Sequence, residues 1–122
     1  MSTYLLLAIA IAFEIAATMG LKASDGFSRV GVTVLVVIGY VCSFALLGLA
    51  LKQGLEVSVG YAVWSATGTA MVAVLGVLIY RETLSPLAVA GIAIVVIGVV
   101  LIHVGSPPAE ADPQARVGAA PE

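Results

Sequence analysis

Four long apolar runs, separated by short polar breaks, restrict what this chain can fold into. The first extends from Tyr4 to Leu21, the second from Val30 to Leu51, the third from Val57 to Tyr80 and the fourth from Leu84 to Val104. A helix needs roughly 20 predominantly apolar residues to cross the hydrocarbon core of a bilayer, and each run is about that long. Backbone groups in lipid must be satisfied within a helix or a closed barrel. Barrel strands alternate polar and apolar side chains, and Val34-Leu35-Val36-Val37-Ile38 does not. The pattern predicts an all-α membrane protein with four transmembrane helices. Pro86 falls near the start of the fourth, where a missing N–H is tolerated.

Composition supports that reading. Of 122 residues, 61% are hydrophobic and only 10% charged, against roughly 25% charged in a soluble globular chain. The five basic residues, Lys22, Arg29, Lys52, Arg81 and Arg116, are isolated from one another. A nucleic-acid surface needs a basic stripe, so no nucleic-acid partner is expected. Cys42 alone forms no internal disulfide, and His103 alone holds no metal. With no activated nucleophile pair, metal cluster or phosphate loop, neither an enzyme nor a cofactor is expected.

The breaks are short: 22–29 with Gly26 as turn point, 52–56 with Gly54 as helix stop, and 81–83. Sequential helices are therefore antiparallel neighbours, and residues 1–104 form one four-helix domain. From Gly105 the pattern ends in Ser106-Pro107-Pro108, and the polar segment 105–122 is predicted to be a disordered tail. A signal peptide would carry a basic start, and Met1-Ser2-Thr3 supplies only the terminal amine. Lys22, Arg29 and Arg81 fall on one side of the membrane and Lys52 on the other. The positive-inside rule leans towards an outside N-terminus, by a margin narrow enough to permit both insertions.

One acid lies inside a run. Glu14 sits halfway along the first helix, beside Ala17 and Thr18, and no run contains a lysine or arginine to pair with it. Intramembrane acids are costly and mark ion or substrate pathways. A glutamate that only snorkels or bonds a neighbour is the bland alternative, and a midpoint position on a short stem argues against snorkelling. Loss of hydration disfavours the charged form of a carboxyl group. An acid that takes either a proton or a cation, each expelling the other, is the minimum chemistry of exchange transport.

Aromatic and small residues surround this acid in the sequence pattern. Tyr61 and Trp64 share a face of the third helix, continued by Gly68 and then Met71 or Val72. Tyr40 and Phe44 share a face of the second, with Ser43 adjoining. These aromatics lie well inside their runs, whereas interface belts lie at the ends. Plain helix packing would also use them. Beside a membrane acid, their faces suit a lipophilic cation through stacking and cation–π attraction. Gly91 and Gly98 form a notch on one side of the fourth helix, Gly39 and Ser43 a small-residue pair in the second. Gly68 next to Thr67 is a candidate hinge in the third.

Taken together, the ordered set Glu14, Gly20-Leu21-Lys22, Gly26-Phe27-Ser28-Arg29, Tyr40, Ser43-Phe44, Gly60-Tyr61-Ala62-Val63-Trp64-Ser65, Gly68, Gly91 and Gly98 resembles the small multidrug resistance family of proton-coupled exporters. The resemblance covers all four helices. It implies an antiparallel, dual-topology homodimer in a bacterial inner membrane, with both copies of Glu14 in one chamber. It implies exchange of protons for small hydrophobic cations such as quaternary ammonium compounds and cationic dyes. It assigns Tyr40, Tyr61 and Trp64 to the substrate pocket, with Ser43, Phe44, Ser65 and Thr18 as further lining, and Gly91 and Gly98 to the dimer contact. Guanidinium exporters of the family carry Trp where Ala17 stands and Thr where Ser65 stands, which places this chain nearer the multidrug branch. Guanidinium export, or service as one subunit of a heteromeric pair, are the alternatives. Departures are a second loop one residue longer than in typical drug exporters and Ala66 where these often have glycine.

Overall fold

The computed structural model of the chain describes residues 2–105. They form four helices: α1 (Thr3–Ala23), α2 (Val30–Lys52), α3 (Val57–Tyr80) and α4 (Pro86–Gly105). Each is long and apolar enough to cross a membrane, and no strand occurs among the described residues. Apart from Gly105, the predicted tail lies outside the described residues.

Helix ends differ from the apolar runs for local reasons. α1 continues through Lys22 and Ala23, and Ser24 then turns the chain. The buried Ser24 donates from Oγ to the Leu21 carbonyl at 2.7 Å and accepts the Phe27 N–H at 3.2 Å. Asp25, Gly26 and Phe27 all take positive φ, so the turn depends on more than its glycine. α4 begins two residues after its apolar run starts. Ser85 caps it, accepting the Ala88 N–H on Oγ at 3.1 Å. Pro86 thereby takes the first helical position, where no N–H is required. Arg81, at φ 56°, ends α3 in the left-handed conformation, and Gly54, at φ 109°, follows the end of α2.

α1 is the centre of the bundle. It packs along α2 and against α3, whereas α2 and α3 barely meet and α4 packs on α3. The packed core is small: Leu6, Leu7 and Ile11 of α1, Ala50 of α2, Leu55, and Val59 and Trp64 of α3. Large apolar side chains such as Leu35, Leu78, Leu87, Ile94 and Leu101 cover the exterior, and α4 has no buried residue. For a membrane helix that exterior is the lipid-facing surface. Lipid offers no hydrophobic drive to bring helices together, so close approach and interhelical hydrogen bonds must do so.

Both occur between α1 and α2. At Gly39 a Cβ would stand 3.0 Å from the Ala17 Cβ and 3.5 Å from the Phe13 carbonyl oxygen. One turn on, the buried Ser43 donates from Oγ to the Ala10 carbonyl at 2.7 Å. The Gly39–Ser43 pair thus lies on the face where α2 meets α1. The two membrane ends are tied differently. At the end holding the N-terminus, Thr3 Oγ1 donates to Gln53 Oε1 at 3.0 Å, and Tyr4 meets His103 edge-on at 5.2 Å. At the opposite end Lys22 pairs with Glu82 at 2.8 Å and lies 4.7 Å over the Tyr80 ring. There the Tyr80 hydroxyl also donates to the Met19 carbonyl at 2.7 Å.

Gly39→Leu should therefore wedge α1 from α2, at a cost of about 1–3 kcal/mol. Gly48, on the same helix, has open space at its Cβ position. Thermal unfolding in detergent should show a clear fall for Gly39→Leu and little change for Gly48→Leu.

Candidate functional site

Beside α1, between the poorly joined α2 and α3, lies a cavity of about 380 Å³. That is within the roughly 300–1,000 Å³ of small-molecule pockets. α1 contributes Glu14 and Thr18, and α2 contributes Tyr40 and Phe44. The α3 wall is Tyr61, Trp64, Ser65, Gly68, Thr69 and Val72, residues three or four apart and hence on one helical face. A groove of about 390 Å³ on the outer side of α1 is lined only by Ala8, Ile9, Ala12, Phe13 and Ala16. It presents no polar side chain, so the Glu14 cavity is the candidate site.

Hydrogen bonds fix one side of the carboxylate. Thr18, one turn after Glu14, donates from Oγ1 to Glu14 Oε1 at 2.7 Å. Thr18 Oγ1 also lies 2.7 Å from the Tyr40 hydroxyl oxygen. Threonine has a single hydroxyl proton. Given to Glu14, it leaves Tyr40 as donor of the second bond, so the relay runs Tyr40 to Thr18 to Glu14. The other oxygen, Glu14 Oε2, is buried and has no hydrogen-bond partner. Among the described residues, no Lys, Arg or His lines the cavity. The other titratable groups that face the cavity are the Tyr40 and Tyr61 phenols.

The aromatic wall is graded in depth. Trp64 is buried at 6% exposure and packs its ring 5.0 Å from Phe44 and 6.2 Å from Tyr61. Phe44 and Tyr61 are exposed, at 58% and 61%. Trp64 therefore backs the wall and joins it to the core, while the outer two rings face the opening.

Eight of the residues singled out in the sequence meet here: Glu14, Thr18, Tyr40, Phe44, Tyr61, Trp64, Ser65 and Gly68. Ser43 does not line the cavity, because its hydroxyl is committed to the Ala10 carbonyl on the α1 side. Gly91 and Gly98 lie on α4, away from the cavity, with open space at their Cβ positions. Gly68 lies within an unbroken α3. Thr69 was not anticipated; steps of four from Tyr61 through Ser65 reach it, and that spacing is the signal that could have found it.

A bundle this small, with a polar cavity among its four spans, has the build of a multi-pass membrane transporter. The sequence profile of the Small Multidrug Resistance protein family matches residues 2–102, and the chain belongs to that family. It is 48% identical over 100 residues to the multidrug resistance protein EbrA of Bacillus licheniformis, covering 82% of this chain and 94% of the relative. A multidrug transporter of Pseudomonas aeruginosa is 43% identical over 106 residues, 87% and 96% of the two chains. The multidrug resistance protein mmr of Mycolicibacterium paratuberculosis is 41% identical over 101 residues, 83% and 94%. The chain is thus a multi-pass efflux protein of a bacterial inner membrane.

Thr18→Val keeps the side-chain shape but removes the only donor to Glu14 Oε1. It should cost about 0.5–1.5 kcal/mol of stability, the net range for an intramolecular hydrogen bond. Thr18→Ser should recover most of it. Unfolding midpoints of the two variants in one detergent are the check, and equal midpoints would remove the relay from the account.

Proposed function

We propose that this protein is a proton-coupled antiporter that exports lipophilic aromatic cations, quaternary ammonium compounds and cationic dyes among them. The observation that carries this reading is Glu14 Oε2, a buried carboxylate oxygen with no donor, on an acid that lines an aromatic-walled cavity. Burying such an atom unpaired is costly. A proton relieves the cost on one occasion and an organic cation on another. Occupancy is exclusive because both neutralise the same charge. Loading a cation expels the proton, and reprotonation expels the cation, so a proton gradient drives export.

Each residue has a part in that cycle. The Tyr40–Thr18 relay holds Oε1 and fixes the plane of the carboxylate. Phe44 and Tyr61 offer exposed ring faces to a flat or quaternary cation, by stacking and cation–π attraction, and Trp64 stiffens them from behind. With no cationic residue in the lining, a bound organic cation meets no repulsion. One copy supplies one acid and a cavity open on one side, so the working unit is an antiparallel homodimer whose two acids share a chamber. The small residues of α4, Gly91 and Gly98, form its contact. The relatives are named for multidrug resistance and multidrug transport, which favours broad cations over guanidinium.

Tetraphenylphosphonium binding to purified protein should strengthen as pH rises, because fewer protons compete for the shared site. Adding the cation to weakly buffered protein should release protons. Glu14→Gln should lose both signals, and Glu14→Asp should bind more weakly with an altered pH dependence. Wild-type binding by Glu14→Gln would remove the shared-site mechanism.

Tyr61→Leu keeps apolar bulk while deleting an exposed ring. It should weaken tetraphenylphosphonium binding by about 0.5–2 kcal/mol without shifting the unfolding midpoint. Unchanged affinity would place Tyr61 outside the substrate path.

A further inference from the structure

We propose that Gly68 is a positioning residue for Glu14: its missing Cβ forms the seat in α3 that receives carboxylate oxygen Oε2. This rests on the reading of Glu14 as the exchange site and adds to it what holds the carboxylate in place.

Gly68 is buried in the cavity wall, opposite α1. A Cβ built on it would stand 3.2 Å from Glu14 Oε2 and 3.8 Å from Trp64 Cδ1. The first distance is tighter than an ordinary van der Waals contact, so a methyl group would require the carboxylate to retreat. Retreat is restricted on the other side. Oε1 is held by Thr18 at 2.7 Å, and Thr18 by Tyr40 at 2.7 Å. Glu14 is thus clamped between hydroxyls of α1 and α2 and a bare stretch of α3 backbone. The seat is apolar and supplies no donor, so the carboxylate is located without being neutralised. Its free oxygen keeps its demand for a proton or a cation.

This role is distinct from that of a hinge. A glycine hinge acts through the backbone of α3, and its replacement affects transport whatever the length of the acid at position 14. A seat acts through one contact, and its replacement matters only when the acid is long enough to reach it. Aspartate, one methylene shorter, withdraws the carboxylate from α3. The added methyl then has less to displace.

The experiment is a four-protein cycle of wild type, Gly68→Ala, Glu14→Asp and the double variant, with Glu14→Gln alongside. Tetraphenylphosphonium affinity and proton release are measured across pH on protein that elutes as a single species in detergent. Gly68→Ala should weaken binding about tenfold or more in the wild-type background, as loss of a hydrogen bond at a charged group would. It should weaken binding less than about threefold in the Glu14→Asp background, a coupling that non-contacting residues do not show. It should also change the pH dependence of binding only where Glu14 is present. Equal factors and equal pH dependence in both backgrounds would overturn the seat and leave Gly68 acting through the backbone. Should Gly68→Ala fail to fold, recovery of folded protein by adding Glu14→Asp supports the seat, and continued failure overturns it. Glu14→Gln separates the two levels: if it binds like wild type, the exchange reading itself falls, whatever the cycle shows.

Discussion

The rest of the bundle is arranged around one carboxyl group held inside a membrane span with one oxygen left unpartnered. A lysine partner would satisfy a buried acid, and full hydrogen bonding would hold its charge down to lower pH. Glu14 has half of what it needs. Thr18 serves Oε1, and nothing among the described residues serves Oε2. That incomplete solvation is stable only because the surroundings are fixed. α1 is pressed against α2 at Gly39 and Ser43, which sets the register that brings Tyr40 to Thr18. The geometry of the site therefore depends on a packing contact along the adjoining face of the same helix.

How the helices share the work follows from this. α1 is the axis, joined to α2 by close packing and to α3 by the Trp64 cluster. α2 and α3 diverge around it, and the gap between them is the cavity. In water such a gap would be closed by the hydrophobic effect. In lipid, apolar surface gains little from closing, and separated helices are a low-cost arrangement. Exposed rings such as Phe44 and Tyr61 persist at the rim for the same reason.

Much of this was legible in the sequence, because the bilayer imposes a length and a polarity on each span. The four runs gave the helices, and the lone acid gave the centre of the site. The aromatic spacings on α2 and α3 gave most of its wall. What failed to show was whatever depends on the rotational register between helices. Ser43 sits between Tyr40 and Phe44 in the chain, yet a helix turns about 100° per residue, and its hydroxyl meets the Ala10 carbonyl instead of the cavity. Thr69 lines the cavity beside Gly68, one residue off the stripe that Tyr61, Trp64 and Gly68 define. The relay from Tyr40 through Thr18 joins residues 22 apart, and no periodicity within either helix announces it. Serine at the start of α4 was equally unremarked, although Ser85 before Pro86 is the local chemistry of a helix start.

The two ends of the bundle are fastened by different forces. Towards the N-terminus the ties include a threonine–glutamine hydrogen bond and an edge-on contact between Tyr4 and His103. At the opposite end Lys22 and Glu82, roughly half exposed, form an ion pair over the face of Tyr80. Exposed ion pairs weaken as ionic strength rises, and screening acts over about 8 Å at physiological salt. Electrolyte on that side of the membrane therefore loosens this tie between α1 and the segment after α3. Inverting the chain in the membrane exchanges which aqueous bath the Lys22–Glu82 pair feels.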